Sequence, residues 1–598
     1  MESTSFTAGA PLFKFSSLPE NDSFRLLRLL PDLEQDPVRC ELITTTISRA
    51  AGSYVAGSYT WGTPLPTMSI LLNNISVDVR KNLYDFLRKL RKRDKAVVIW
   101  IDAFCINQDC HRERTHQVGL MAQVYSEAAS VAIWLGPGSE LMYYAIDIIE
   151  KLGTDSTIHI DPKSGPAVFE DDGTENEKTA EVAAFFNVPW WFRVWTVQEY
   201  VLAKRRTFYC GDRKIEGEVV EEFSKNVAAH RGNCCSRIMV VHRTHGLRMN
   251  MGDSIVTVSM LKDYCNKHSA TFLSTLGRFE FRLATDPKDR IYGFLGIARQ
   301  NGGPFLDALY EQSPQEACAA LVQRWVEAYR NLDFLEHTAD YPSFITQSFV
   351  PNWTERRPEG HDRWDCNKRW DVQHLYDACV GRKPQFCMES DGSASFVGMG
   401  VDTIKAVTTT HYQEYADLIL EAQALIGFSE STSDMYKPTS QSLHDAFALT
   451  MTGGLQYRLS GGCERRETVD KCLLEWMDWI LECRVTYIHV PVGTKQYMDD
   501  ILSAHHFFRA ALYGRSFILT EKGYFGFAPN SCQARDVVAI LFGAKSPCVL
   551  RPVNDVQTVP ETHFKLLGTS YVHGIMHGEV LEGLEDGDDL PTTTFHVV

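Results

Sequence analysis

Hydrophobic residues between positions 53 and 212 alternate between the spacing of strands and the spacing of helices. Apolar runs typical of buried strands occupy residues 53–61, 96–102, 130–135 and 206–210. Between them, residues 79–93, 118–128 and 194–203 place apolar side chains three or four positions apart, which predicts helices. A regular alternation of strands and helices favours a parallel sheet covered by helices, so this segment is predicted to be an α/β domain.

The pattern changes on both sides of this segment. Residues 1–52 are expected to be a lead-in with one strand at 24–30, and the acidic stretch 170–181 is expected to be a solvated loop. Gly211 and Asp212 end the alternation, and residues 213–504 show mainly helical patterns. From 505 to 598, short β runs separated by turn residues predict a β-rich C-terminal module, a small antiparallel barrel or sandwich. A chain of 598 residues is too long for one core, so this division into domains is expected.

Composition and charge narrow the class of protein. Hydrophobic residues make up 44% of the chain and charged residues 23%, as in ordinary globular proteins. The net charge of -16 repels a phosphate backbone, so nucleic acid is not expected as a partner. The sequence lacks both an apolar run of the ~18 residues that a membrane span needs and a secretory signal. A cytoplasmic location without a membrane span is therefore expected.

The 16 cysteines do not form a metal-binding motif. A Cys-x-x-Cys pair is absent, and Cys105, Cys110, His111 and His116 resemble ligand spacing only loosely, since a second ligand pair is missing. Cys105 is expected to be a packed thiol rather than a nucleophile. The sequence therefore predicts no metal site, and it also lacks the phosphate-binding loop and the G-x-S-x-G motif of nucleotide-driven switches and serine hydrolases.

Three blocks combine Trp, Asn, Gln and Glu with otherwise aliphatic segments. They are Tyr-Val-Ala-Gly-Ser-Tyr-Thr-Trp-Gly at 54–62, Ile-Trp-Ile-Asp-Ala-Phe-Cys-Ile-Asn-Gln at 99–108, and Arg-Val-Trp-Thr-Val-Gln-Glu at 193–199. In order, spacing and content these blocks resemble the heterokaryon-incompatibility (HET) domain of filamentous fungi. Two positions depart from the family pattern: Gly57, where a larger apolar residue is usual, and Arg535, where glycine is usual.

The resemblance implies an effector of programmed cell death that acts when genetically different fungal cells fuse. Its partners would be proteins of an incompatibility system, and self-association is a further implication. HET domains are remotely similar to TIR domains, so the resemblance implies a TIR-like, flavodoxin-like sheet in the N-terminal domain. It also implies NAD as a substrate of the domain, without a tightly bound cofactor.

The same resemblance suggests which residues form a site. In TIR domains that cleave NAD, the catalytic glutamate lies four residues after a tryptophan, and Trp195 and Glu199 have this spacing. A carboxylate at Glu199 would stabilise the oxocarbenium-like state formed when the nicotinamide bond breaks. The remaining residues are expected to bind NAD: Arg193 a phosphate, Trp61 or Trp195 a ring, and Asp102 or Asn107 a ribose hydroxyl.

A structural interpretation of the same residues stays open. Glu199 would then pair with Arg193 or Lys204, and Asp102 would cap the turn that follows it. Asn107 and Gln108 would satisfy backbone groups of their loop. In that case the protein is a non-catalytic signalling scaffold, or a regulatory protein of the kind associated with biosynthetic gene clusters. A transcription factor is disfavoured by the acidic charge.

Overall fold

The computed structural model describes most of the chain. The described residues are 15–19, 21–33, 35–231, 234–235, 272–300, 303, 306–341, 343–344, 347–357, 369–410, 414–428, 434–457, 462–483, 495–553, 563–581 and 592–598. They form two compact units. The first comprises Met1–Thr275 and Phe281–Glu311, and the second comprises Leu276–Glu280 and Gln312–Val598.

The first unit contains one mixed sheet. Its strands are β1 Ser23–Leu29, β2 Arg39–Thr46, β3 Val55–Tyr59, β4 Thr67–Leu72, β5 Ile75–Arg80, β6 Val97–Trp100, β7 Ser130–Gly136, β8 Arg206–Cys210 and β9 Arg213–Glu216. Their order is β5-β4-β2-β1-β6-β3-β7-β8-β9. β1 and β2 therefore belong to this sheet, although they lie in the segment expected to be a lead-in.

Only the centre of the sheet is continuously parallel. β6, β3, β7 and β8 run parallel to one another, whereas β1, β5 and β9 are antiparallel to the strands they adjoin. The expectation of a parallel sheet is thus correct for the centre and wrong for the edges. One reason is the segment 75–80, where the period-2 alternation of Ile75, Val77 and Val79 forms a strand before the predicted helix begins.

The parallel strands do not follow one another across the sheet in chain order. β3 comes first in the chain and lies between β6, which comes second, and β7, which comes third; β8 follows β7. The order is therefore second, first, third, fourth. The chain reverses its direction of winding at β3, and the carboxyl ends of β3 and its neighbours meet at one edge of the sheet.

Gly57 lies in the middle of β3, where the backbone is tightly covered. A Cβ atom at this position would lie 2.5 Å from Cδ1 of Ile101 and 3.2 Å from a ring carbon of Phe86. Real Cβ atoms do not approach other atoms that closely. Ile101 and Phe86 thus fill the space that the usual larger side chain at position 57 would need.

Helices cover the sheet of the first unit. They are α1 Ile47–Ala50, α2 Lys81–Leu90, α3 Asp102–Cys105, α4 His111–Glu127, α5 Glu140–Thr154, α6 Glu175–Val182, α7 Thr196–Val201 and α8 Gly217–Arg231, followed by Asp289–Tyr292 and Leu295–Gln300. A further helix, Phe272–Arg278, begins in the first unit and ends in the second. Single turns of 3-10 helix occupy Pro162–Ser164, Ala183–Phe186 and Pro189–Phe192. α6 contradicts the loop expected at 170–181, because Thr179 and Val182 bury one face of a short helix while Glu177 and Glu181 stay outside.

The second unit is built on a larger β structure. Its strands are β10 Ser343–Phe344, β11 Gln347–Pro351, β12 Phe386–Met388, β13 Ala394–Val407, β14 Met435–Tyr436, β15 Gln441–Ser442, β16 Leu455–Tyr457, β17 Cys463–Arg465, β18 Arg515–Thr520, β19 Phe525–Pro529, β20 Val537–Leu541, β21 Cys548–Val553, β22 His563–Thr569, β23 Tyr571–Val572 and β24 Thr593–Val597. β13, β20, β21, β22 and β24 pair in a closed ring, and β18 extends it from β13. The β-rich C-terminal module is confirmed, and the ring favours the barrel over the sandwich.

β13 corrects the expectation that residues 213–504 are mainly helical. This 14-residue strand pairs with β20, β24 and β18, so the ring needs a strand from well before residue 505. Gly398 and Gly400 interrupt its apolar alternation, which hid the strand in the sequence. The domain boundaries at 52, 212 and 504 stay predictions.

Helices of the second unit pack beside the ring. They are Pro314–Tyr329, Tyr415–Ile426, Leu443–Met451, Lys471–Cys483 and Lys495–Leu512, with 3-10 turns at Asp333–His337 and Gln373–Leu375. Trp476 and Phe508 from the last two long helices join Phe517 and Phe525 in one buried cluster. In the part of the chain that the structure describes, no helix combines the length and the apolar character needed to cross a membrane.

Candidate functional site

The predicted site lies where the parallel strands end. β3 ends at Tyr59, between the ends of β6 and β7, and Trp61 follows two residues later. α3 begins at Asp102, directly after β6. α7 carries Glu199 towards the same strand. Ligands of open α/β sheets bind at such an edge, where the direction of winding reverses.

Glu199 is a buried carboxyl group that accepts a hydrogen bond from one hydroxyl group and lies beside another. It is 5% exposed, and its Oε2 accepts a hydrogen bond from the Oγ of Ser58 in β3. The same Ser58 oxygen accepts a hydrogen bond of 2.7 Å from Nε1 of Trp190. The hydroxyl of Tyr125 in α4 lies beside the carboxyl group and donates a hydrogen bond of 3.1 Å to the backbone oxygen of Gly57. Three elements therefore converge on one carboxyl group.

The surroundings of Glu199 make its ionised form costly. Burial raises the pKa of the carboxyl group to about 7, although the positive charge of Arg193 and the hydrogen bond from Ser58 act in the opposite direction. The negative charge of Asp102 adds to the increase. A carboxyl group with a pKa near 7 can accept and return protons at neutral pH, which is the property that a general acid or base needs.

Trp61 and Asp102 form a directly bonded pair. Nε1 of Trp61 donates a hydrogen bond of 2.9 Å to Oδ2 of Asp102, and both side chains are partly buried. The guanidinium group of Arg80 lies 5.3 Å from the centre of the Trp61 ring. Oδ1 of Asp102 accepts a bond of 2.8 Å from the backbone nitrogen of Ala103. The cap that the structural interpretation expects is not formed, because the N-cap residue of α3 is Ile101 and the helix has no side-chain cap. The Asp102 carboxylate instead makes a local bond to Ala103 and fixes the Trp61 ring.

Arg193 lies at the end of β3 and interacts with Tyr59, Tyr125 and Glu199. Its guanidinium group donates a hydrogen bond to the backbone oxygen of Tyr59, at the end of β3. Its charge lowers the pKa values of Tyr59, Tyr125 and Glu199, each of which is raised chiefly by burial. Arg193 is therefore the cation at the centre of this group.

Trp195 is directed away from Glu199. The two residues are one helical turn apart, and the backbone nitrogen of Glu199 donates a hydrogen bond of 3.3 Å to the oxygen of Trp195. The Trp195 side chain, however, hydrogen-bonds Asp289, whose pKa burial raises to about 6. The hydroxyl of Tyr310 donates a bond of 2.7 Å to the same carboxyl group. The tryptophan and the glutamate of the predicted motif therefore have different partners.

Asn107 lies in a different group of polar residues. Its backbone nitrogen donates a bond of 2.7 Å to Glu113, which Arg25 holds through two hydrogen bonds of 2.6 and 3.0 Å. Its side-chain oxygen accepts a bond of 3.3 Å from the backbone of Asp109. Gln108 likewise donates to a backbone oxygen. The contacts of Asn107 and Gln108 match the structural interpretation.

The structure thus brings together Trp61, Asp102, Arg193 and Glu199. It adds Ser58 and Tyr125, which sequence reasoning missed as site residues, although Ser58 lies in the first block and Tyr125 in the predicted helix 118–128. Their signal was a hydroxyl inside an otherwise apolar strand or helix stripe. Lys204, which the structural interpretation offers as a partner of Glu199, pairs instead with Glu127 at 3.1 Å.

Two neighbouring features limit the chemistry at this edge of the sheet. Cys105 is fully buried, and burial raises the pKa of its thiol to about 12, so it is the packed thiol that was expected. A small cavity beside α7 is lined by Gln198, Gly119 and Gly296, and not by Glu199. Among the described residues, the His and Cys group with metal-ligand geometry lies elsewhere, around His159.

Comparisons with known proteins match two separate segments of the chain. Residues 54–199 match the family model "Heterokaryon incompatibility protein (HET)", and residues 488–589 match the model "Het-6 beta-barrel domain". The chain is 23% identical to "Heterokaryon incompatibility protein 6, OR allele" of Neurospora crassa, over 98% of both chains. No solved structure matches the chain significantly. The first match spans all three sequence blocks, and the second spans most of the strands of the closed ring.

Proposed function

We propose that the chain is a HET-domain protein and that it acts in the cytoplasm as the effector of programmed cell death when genetically different fungal cells fuse. In this proposal the N-terminal domain kills by cleaving NAD, with Glu199 as the catalytic residue. The observation that carries it is the buried Glu199 carboxyl group, with a pKa raised to about 7, at the carboxyl end of the strand where winding reverses.

The strand order supports the TIR-like part of the proposal. The four parallel strands β6, β3, β7 and β8 have the order second, first, third, fourth. Flavodoxin-like sheets have the order 2-1-3-4-5 and bind their ligand beside the first strand. In this comparison β3 is the first strand, and Ser58 and Tyr59 lie at its carboxyl end. A TIR-like domain would place NAD there.

The chemistry that we propose requires the ionised form of Glu199. The bond between the nicotinamide nitrogen and the ribose C1′ breaks, and its electron pair leaves with nicotinamide. The carboxylate stabilises the positive charge that develops on the ribose, and water then adds to C1′ and gives its proton to Glu199. A pKa near 7 allows Glu199 to be ionised before the step and to hold the proton after it.

The binding roles follow the contacts of the other residues. We assign Arg193 to a phosphate group of NAD, because its positive charge acts on the Glu199 carboxyl group and a guanidinium group suits phosphate recognition. Trp61 and Asp102 act together, because the indole hydrogen bond orients the carboxylate towards a ribose hydroxyl. Trp195 and Asn107 are assigned no contact with NAD, since their polar groups are engaged with Asp289 and with the loop around Asp109.

The burial of Glu199 favours a second candidate function. A carboxyl group that is 5% exposed, hydrogen-bonded by Ser58 and packed beside Tyr125 is also what a structural anchor requires. The domain would then be a non-catalytic scaffold that assembles with protein partners of the incompatibility system, or with copies of itself. The same arrangement would serve a regulatory protein associated with a biosynthetic gene cluster.

One experiment separates the two candidates. Purified full-length protein, tested both as isolated and after cross-linked self-association, is incubated with NAD while nicotinamide release is followed. We expect release by the parent and at least a hundredfold loss in Glu199→Gln, which keeps the shape and removes the charge. Glu127→Gln is the matched control, because Glu127 is an exposed glutamate of the same domain that pairs with Lys204. It should release nicotinamide at the parental rate.

The same variants are expressed in a fungal host from an inducible promoter. Catalysis predicts that Glu199→Gln abolishes both the fall in cellular NAD and the loss of viability, at equal protein levels. If the parent kills while NAD stays constant, the scaffold is the correct function. If Glu199→Gln is folded and equally active on NAD, Glu199 is not the catalytic residue.

A further inference from the structure

Two histidines and two cysteines of the first unit converge at the end of α8. His230 lies in the last turn of this helix, and Cys234 and Cys235 follow it. His159 comes from the segment after α5, where its backbone bridges to Ala167. One ligand atom from each side chain lies within 4.8 Å of every other. Cys235 is buried, Cys234 is exposed, and the two histidines are half-buried.

Five of the six distances between these ligand atoms lie close to the edges of a zinc tetrahedron, and the two histidine nitrogens lie within 4.8 Å of each other. With Zn–S bonds of about 2.3 Å and Zn–N bonds of about 2.0 Å, tetrahedral geometry requires about 3.8 Å between two sulfurs and about 3.5 Å between a sulfur and a nitrogen. The sulfurs of Cys234 and Cys235 are 3.8 Å apart. Nδ1 of His159 lies 3.3 and 3.6 Å from them, and Nδ1 of His230 lies 3.0 and 3.8 Å from them.

The surroundings orient the ligand atoms inward. Nε2 of His230 donates a hydrogen bond of 3.0 Å to the backbone oxygen of Ser156, which leaves the Nδ1 lone pair facing the sulfurs. The backbone oxygen of Cys234 accepts a bond of 2.7 Å from the hydroxyl of Ser164. The backbone nitrogen of Cys235 donates a bond of 2.9 Å to the oxygen of His230. Partners of this kind fix the ligands of structural metal sites.

Gly165 gives the His159 ring the room it occupies. Its φ of 148° is rare for residues with a side chain, and a Cβ atom there would lie 2.9 Å from Cδ2 of His159. Any other residue would push the ring out of position. The segment around Gly165 is thus shaped around His159.

A metal ion bound between the two cysteines would hold both sulfurs as thiolates, because it deprotonates a coordinating thiol. A thiol is also only a weak hydrogen-bond donor, so mutual hydrogen bonds account poorly for four converging side chains.

We propose that His159, His230, Cys234 and Cys235 bind one structural Zn²⁺ ion. Two thiolates and two imidazoles in tetrahedral geometry are the ligand set of zinc, whereas Mg²⁺ and Ca²⁺ prefer oxygen ligands. Four protein ligands leave no open position for water or substrate, so the ion is structural rather than catalytic. It joins the end of α8 to a segment 75 positions away in the chain.

The site was missed in the sequence because its spacing is unlike that of a zinc ribbon. The two cysteines are adjacent rather than separated by two residues, one histidine precedes them by four positions, and the other is remote. Each half of the site is an ordinary pattern. The fold alone places the halves together.

The test measures metal in the full-length chain, purified without chelators. We expect about one zinc per chain in the parent and none above background in the variant Cys234→Ser/Cys235→Ser. The matched control is Cys387→Ser/Cys463→Ser, which removes two cysteines that are also accessible but lie outside the cluster. It should keep its zinc. Replacing zinc by Co²⁺ should give the absorption bands of tetrahedral cobalt with thiolate ligands in the parent and the control only.

A second measurement uses the parent alone, in case the double variant does not fold. Titration of the thiols with a mercurial reagent should release one zinc per chain, detected by a coloured chelator. Three results would overturn the proposal. The parent could neither contain zinc nor give the cobalt bands, or the double variant could retain its zinc. The third is a disulfide between Cys234 and Cys235 in protein freshly purified from a lysate kept under reducing conditions.

Discussion

The raised pKa of Glu199 predicts how the stability of the protein depends on pH. In the folded protein the pKa is about 7, against 4.5 for an unperturbed glutamate, because the carboxyl group is buried. Between these two values the folded state binds the proton more tightly than the unfolded state. The contribution of this group to stability is therefore fully present below pH 4.5 and is lost as pH rises to 7.

The size of the effect follows from the shift. One pKa unit corresponds to about 1.4 kcal/mol, so the change is at most about 3 kcal/mol once structural relaxation is allowed for. The variant Glu199→Gln lacks this titration. Its free energy of unfolding, relative to that of the parent, should therefore increase by 1 to ~3 kcal/mol between pH 4.5 and pH 8.

Urea unfolding followed by tryptophan fluorescence measures this difference at intervals of half a pH unit. Comparing parent and variant at each pH cancels the titration of groups common to both, such as Asp289. The control Glu127→Gln changes an exposed residue and should give a flat difference. A flat difference for Glu199→Gln would show that the pKa is not raised. A difference of opposite sign would show that Arg193 and Ser58 outweigh burial.

Three further predictions concern the site and the two departures from the family pattern. Trp61→Phe and Asp102→Asn should each reduce toxicity in a fungal host at unchanged protein level, and a double-mutant cycle in urea should give a coupling energy of about 1 to 3 kcal/mol for their hydrogen bond. Gly57→Ala should destabilise the first unit by about 1 to 3 kcal/mol through contact with Ile101, and Ile101→Val should recover part of that loss in the same assay. Arg535→Gly should raise the free energy of unfolding in urea by up to about 1 kcal/mol, because Arg535 has a φ of 76° that glycine adopts without strain. An unchanged or lower free energy of unfolding would contradict this.

Local patterns in the sequence determined much of the secondary structure and the family. Apolar spacing alone predicts the strands at 130–136 and 206–210 and the leucine stripe of α2. A spacing of 2 or 3.6 residues is a local property of the sequence, so it indicates a strand or a helix without knowledge of distant contacts. The three blocks pointed to the HET family, whose model matches residues 54–199, because polar residues at these positions in apolar elements are informative by themselves.

Placement across the sheet depended on tertiary structure. The sequence predicts a strand at 24–30, which the structure places at 23–29, but not that this strand pairs with β6, since pairing depends on contacts between distant segments. The same holds for β13, which joins strands more than a hundred positions later in the chain to close the ring. Local periodicity carries no information about such partners.

The candidate site divides in the same way. The sequence pointed to Glu199 and Asp102 through the motifs, whereas the partner Ser58 lies 141 positions before Glu199 and was found only in the folded chain. The burial that raises the pKa of Glu199 is also a property of packing, because it depends on every element around the carboxyl group. His159 and Cys234 meet for the same reason: folding brings together side chains whose separation in sequence has no regular pattern.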